Sequence, residues 1–185
     1  MRLTTIQPAI ILEIIEKNGE YVCEPTKSFI YTDGEEDNYI REAYDWLVKI
    51  MRQRIPNSPE NVAYPVWAWC NNPELEDDIY HAGEKGDKYV ALTLEIPDDQ
   101  VILSDFDEWS CAIVNAPIWT EEEWELYEGE DENPSSTWDR CLRKPGEFKT
   151  DDYIQATFWR LKKEYIVNIL KYTSLGPKSY DDCED

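Results

Sequence analysis

Apolar positions along this chain switch between a period of two and a period near 3.6, and the switches predict its elements. Residues 88–109, KYVALTLEIPDDQVILSDFDEW, show this most plainly. Two β-type runs, 89–96 and 101–103, flank a turn at Pro97, Asp98 and Asp99, and a helix starts at Ser104 or Asp105. At the N-terminus the β-branched run LTTIQ, residues 3–7, predicts a short strand. Ile10, Ile11, Ile14 and Ile15 then recur at helical spacing, and Asn18 and Gly19 end that helix, because glycine accepts the left-handed backbone of a C-terminal cap. Residues 21–23 and 29–31 read as short extended pieces.

A longer helix follows. Asp33 and the acids at 35–37 mark its start, and Ile40, Tyr44, Leu47, Val48 and Met51 form one face. Lys49, Arg52 and Arg54 load the negative end of its dipole before Pro56 stops it. VAYPVWAWC, residues 62–70, is a strand by composition, with Pro65 placing it on an edge or its start at Val66. Residues 71–87 read as a polar, acidic loop, 119–133 as a solvated helix and a flexible link, and 138–142 as a short amphipathic helix. Residues 153–173 fit two patterns. One is a helix with Ile154, Phe158, Leu161 and Tyr165 on one face; the other is QATFWRL and YIVNILKYT as strands about a turn at 162–164. The β-branched second half favours strands.

Together the elements predict an α+β protein: a small mixed or antiparallel sheet flanked by helices, one globular domain over residues 1–175 and a disordered acidic tail over 176–185. A chain of 185 residues, 42% hydrophobic and 13% aromatic, has enough apolar surface for one real core. Charge narrows the function. At a formal −22 the chain repels nucleic-acid phosphates and anionic membranes at moderate salt, which argues against direct nonspecific nucleic-acid binding. Residues 138–178 depart from this, with nine Lys and Arg against five Asp and Glu, so an anionic ligand is best received there. Cys23, Cys70, Cys111, Cys141 and Cys183 have no CxxC spacing and are odd in number, which fits reduced thiols in a cytoplasm. Glu13, Glu16 and Lys17 interrupt the N-terminal apolar run, so no signal peptide or membrane span is expected.

Candidate chemistry is sparse. His81 is the one histidine and sits in the acidic loop, and the acid pairs Asp77 with Asp78, Asp98 with Asp99 and Asp105 with Asp107 are what 40 acids produce by number; no metal site is expected. Trp67 and Trp69 offer either flat platforms for a base or sugar or core packing against the long helix. Thr5 and Gln7 end the first strand, where polar side chains meet a ligand or neighbouring backbone. Arg160, Lys162 and Lys163, with Gln155 and Thr157 on the same segment, form the best cationic cluster, suited to a phosphate or to a solvated basic face.

Five motifs in order, TIQ (5–7), AYDWLV (43–48), YPVWAW (64–69), EIPDDQVILSDFDEW (95–109) and IQATFW (154–159), resemble a bacterial family of unassigned activity, domain of unknown function 3841 (DUF3841), up to about residue 173. The strand order also resembles, more distantly, the ADP-ribosyltransferase fold. That likeness implies NAD or an ADP-ribose-type nucleotide in a cleft between the first strand and the late QAT strand. It gives the first-strand position to Thr5 or Gln7, the second to Tyr64 and the third to Gln155 with Thr157; the Trp69 platform and the Arg160 cation, read from the residues themselves, complete the expected binding set. The first strand lacks the His or Arg of that superfamily, and QAT stands where its glutamate belongs, so transferase chemistry needs another acid, such as Glu164. Nucleotide binding without classical transfer is therefore the expected function. The alternative is an acidic interaction or inhibitor protein of bacterial or phage origin that presents carboxylates to a basic protein partner in place of nucleic acid.

Overall fold

A computed structural model describes residues 1–23, 38–126 and 133–178. Its centre is a seven-stranded, wholly antiparallel sheet built from β1 (Arg2–Pro8), β3 (Val66–Asn71), β4 (Lys88–Glu95), β5 (Ile102–Asp105), β6 (Leu142–Arg143), β7 (Ile154–Phe158) and β9 (Ile166–Thr173). The strands lie in the order β6-β5-β7-β3-β1-β4-β9, and a separate two-stranded ribbon pairs β2 (Glu20–Tyr21) with β8 (Leu161–Lys162). The α+β expectation holds, and the sheet is antiparallel throughout.

Each face of the sheet carries its own core, because side chains alternate along a strand. Leu3, Val90, Leu92, Leu94, Val66, Ala68, Ala156 and Phe158 share one face, covered by Ile11 and Ile15 of α1 (Ile11–Asn18). Gly19 closes that helix at φ 82°, the left-handed cap expected of it. Ile102 and Trp67 belong to the other face, under Tyr44, Leu47 and Met51 of α2 (Asn38–Arg54) and Trp109 and Ala112 of α4 (Phe106–Ile113). The Asp105 side chain accepts hydrogen bonds from the Asp107 and Glu108 amides, so the acid at the end of β5 is the N-cap of α4.

Residues 153–173 form strands. β7, β8 and β9 follow the split read from the β-branched pattern, with a 3-10 turn at Lys163–Tyr165. Three regions differ from the sequence reading. Residues 71–87 are not a plain loop: α3 (Leu75–Asp78) and a 3-10 turn at Ile79–His81 pack within them. The predicted helix at 138–142 is a 3-10 turn, Trp138–Cys141, running into β6, and the acidic helix is only α5 (Glu121–Glu125), opened by a Thr120–Glu123 capping box. Residues 176–178 are held: His81 Nδ1 lies 2.9 Å from the Gly176 carbonyl, and Lys178 pairs with Asp77 at 2.8 Å and Asp78 at 3.0 Å. The predicted extended piece at 29–31, the acids at 33–37, the flexible link at 127–132 and the tail from 179 lie outside the described residues. Among the described residues no helix is long and apolar enough to cross a membrane.

Candidate functional site

The end of β1 and the start of β3 open into a cleft of about 400 Å³. Ile6, Gln7, Pro65, Val66 and Trp67 come from the two strands, Tyr64 from the approach to β3, Tyr21 and Cys23 from β2 and the residues after it, and Tyr44 from α2. Pro65, without an N–H, stands before the first paired residue of β3, and Tyr64 is thereby placed beside the strand end. The Tyr44 ring meets Tyr64 edge-on at 5.9 Å and Trp67 at 5.9 Å, and Trp67 lies tilted over Trp109 at 5.3 Å. Such edge and tilted contacts hold the rings in fixed orientations. Burial, chiefly, pushes the Tyr44 hydroxyl well above the usual tyrosine range, and Cys23 adds to it, so this phenol stays protonated as a hydrogen-bonding group. The described lining holds rings, a carboxamide and a thiol, and no charged side chain.

The residues singled out in the sequence fall in three places. Gln7 and Tyr64 both line the cleft. Thr5 sits directly behind Gln7: its hydroxyl donates to the Trp67 carbonyl at 2.7 Å and accepts from Gln7 Nε2 at 2.8 Å, which fixes the glutamine against β3. Trp69, Gln155 and Thr157 point to the opposite face of the sheet, since Trp69 is in register with Gln155, Trp67 with Thr157 and Thr4 with Trp69. There Trp69 packs edge-on against Phe106 at 5.6 Å and Tyr153 at 6.4 Å, while the Thr157 hydroxyl donates to the Ile102 carbonyl at 3.4 Å. The Gln155 Oε1 is buried and has no hydrogen-bond partner. β3 runs between β1 and β7, so the first strand and the QAT strand do not face each other across one cleft.

Arg160 is in a third place, on the wall of a larger cleft of about 750 Å³ with Lys162, Tyr165, Asn57, Gln100 and Glu20. Its guanidinium is ion-paired with Glu20 and reaches Asn61 Oδ1 at 3.4 Å. Lys162 lies over the Tyr165 ring at 5.3 Å and near Glu164 at 3.5 Å, and Lys163 pairs with Glu16 at 2.6 Å. The three cations are each matched by a local acid instead of converging on one anion.

Sequence reasoning passed over Tyr21, Cys23 and Tyr44 as site residues. The one available signal was a hydroxyl-bearing ring, Tyr44, on the otherwise aliphatic face of α2. Among the described residues no group of three His, Cys, Asp or Glu is placed to hold a metal ion. Compared with known families, the chain matches the model for Domain of unknown function (DUF3841) over residues 2–133. The match spans β1 to α5 and stops short of the IQATFW motif in β7. No curated protein and no solved structure matches the chain.

Proposed function

We propose that this chain, which belongs to the family described as Domain of unknown function (DUF3841), binds a nucleotide of the NAD or ADP-ribose type by its planar ring in the cleft at the end of β1. The observation that carries the reading is the convergence of Gln7 and Tyr64 with Tyr21, Tyr44 and Trp67 around one opening. Aromatic faces receive a flat heterocycle by stacking, and a carboxamide and a buried phenol supply the directional hydrogen bonds that orient it. The reading keeps the distant likeness to the ADP-ribosyltransferase fold as its reason for choosing NAD and ADP-ribose among planar ligands. It is a binding function rather than a transfer, because Gln155 occupies the position of the expected glutamate and lies on the other face of the sheet from Gln7.

The test is thermal denaturation of the full chain with NAD, ADP-ribose, nicotinamide or cyclic nucleotides at millimolar concentration. A ligand at a hundredfold excess over its dissociation constant adds about 2.7 kcal/mol of stability. Gln7→Leu, which removes the amide and not the aromatic wall, is expected to lose most of the shift. No shift with any of the four ligands sinks the reading.

A second reading, an acidic protein that offers carboxylates to a basic partner, is favoured by Glu76 on α3 and by Glu121, Glu122 and Glu125 on α5. All four are exposed and form no ion pair with another described residue. Capture of a basic partner from lysate that is released by moderate salt supports it, and capture insensitive to salt counts against it.

A further inference from the structure

β9 ends the sheet, paired with β4 on one side and with no strand on the other among the described residues. It is eight residues long, IVNILKYT, and Val167, Ile169 and Leu170 are 50%, 43% and 38% exposed. A long apolar edge is a template for another strand, and proteins ordinarily blunt it with charge, proline or a bulge. Here the devices are a single charge, Lys171, and the register shift between Thr93 and Leu94, near Val167, which leaves residues 168–173 in regular pairing with β4.

Charge says which strand fits. The chain carries 40 acids, yet β9 carries none and has a single cation, Lys171. We propose that two copies of this chain join β9 to β9, antiparallel about a two-fold axis normal to the sheet, and so merge their sheets edge to edge.

With Ile169 opposite its symmetry mate, Val167 falls opposite Lys171 and Asn168 opposite Leu170. Both members of the Ile169 pair and of the Asn168–Leu170 pairs then face the same side of the joined sheet, and the register shift at Val167 marks where that alternation stops. No like charges meet, and the Lys171 stem covers the Val167 side chain of the other copy. Residues 168–170 of each copy, the part of this pairing clear of the register shift, exchange roughly two to four backbone hydrogen bonds. The −22 charge of each copy opposes the contact from outside the strand, and because salt screens that repulsion, the dimer strengthens as salt is raised.

Sedimentation of the full chain from micromolar to near-millimolar concentration, at low and high salt, reads this directly. The expected result is a monomer–dimer equilibrium that shifts toward dimer with salt and that Ile169→Lys weakens about tenfold or more. Leu170→Thr, which puts a residue of high strand preference in place of leucine, is expected to weaken it in the same direction should the lysine variant fail to fold by circular dichroism. The geometry is read by Ile169→Cys. Opposed residues of an antiparallel pair have Cα atoms roughly 4.5–5.5 Å apart, inside the disulfide range. Mild oxidation is then expected to cross-link that variant much faster than Val114→Cys, an exposed position at the end of α4. A monomer at every concentration, a dimer untouched by both edge variants, or cross-linking no faster than the control would each overturn the proposal.

Discussion

Replacing Tyr172 by Phe is expected to stabilise the protein. Tyr172 lies in β9, its ring stacked 6.2 Å from Tyr89 and edge-on to Tyr80 at 5.3 Å, so the ring contacts survive in Phe. Its hydroxyl is buried and has no hydrogen-bond partner. A buried hydroxyl without a partner costs about 1–3 kcal/mol, and since Tyr172 keeps some exposure the gain belongs near the low end, about 1 kcal/mol or roughly 2–4 °C in a chain of this size. The same burial, with Tyr89 and Tyr80 adding to it, pushes the Tyr172 hydroxyl up to about 12 from its ordinary 10.0. A raised acid keeps its proton in the folded chain where the unfolded chain has released it. Stability is therefore full below about pH 10 and is lost as pH rises toward 12. Phe has nothing to titrate, so the gap between the two proteins widens through that window. Urea denaturation at micromolar concentration, at neutral pH and in steps to pH 12, measures both effects. A Phe variant less stable at pH 7, or one whose alkaline loss equals that of the wild type, would refute the reasoning.

The acid side is governed differently at α5. Glu123 takes two hydrogen bonds from Arg140, at 2.5 and 2.8 Å, and one from the Thr120 amide, and chiefly through Arg140 its carboxyl falls to about 2 from an ordinary 4.5. Its stabilisation is present above the unfolded value and lost as pH falls toward 2. Glu123→Gln should be the less stable protein at neutral pH, with the two urea midpoints converging by about pH 2; parallel curves would show that the ion pair is not responsible. Gly83 has φ +68°, and a Cβ there would lie 2.3 Å from the Tyr89 hydroxyl oxygen, so Gly83→Ala meets both backbone strain and a clash with the ring that stacks on Tyr172. A loss of about 1–3 kcal/mol is expected, and an unchanged melting temperature would contradict it.

What the sequence made legible was local. Gly19 needed only its left-handed backbone, Asp105 only the free amides of a helix start, and IVNILKYT only its β-branched residues, and each sits in the element its chemistry predicts. The elements misjudged are those whose form depends on distant partners. Residues 71–87 look like a polar loop because their apolar residues are few. Yet Leu175 donates its amide to the Tyr80 carbonyl and Ser174 to that of Asp87, so a segment almost a hundred residues away gives the loop its backbone partners. His81 at the Gly176 carbonyl and the Lys178 pairs with Asp77 and Asp78 likewise hold residues 176–178, which the sequence reading placed at the start of a disordered tail.

The candidate site was legible in its parts and not in its assembly, and the reason is the period of a strand. Thr5 and Gln7 have odd parity on β1 and share a face with Leu3, whereas the register of Thr4 with Trp69 puts both β3 tryptophans on the other face. Trp69 with Gln155 then carries the QAT strand's polar residues to that second face. A shift of one residue in the β1–β3 pairing would have gathered Gln7, Trp69 and Gln155 on one side, and sequence alone does not reveal such a register. What escapes the split is the strand end. There Gln7 and Trp67, on opposite faces, both reach the opening where pairing stops, and Tyr44 and Tyr64 close around it. The strand end is therefore where alternation does not separate Gln7 from Trp67, and the proposed binding of a planar ligand depends on that.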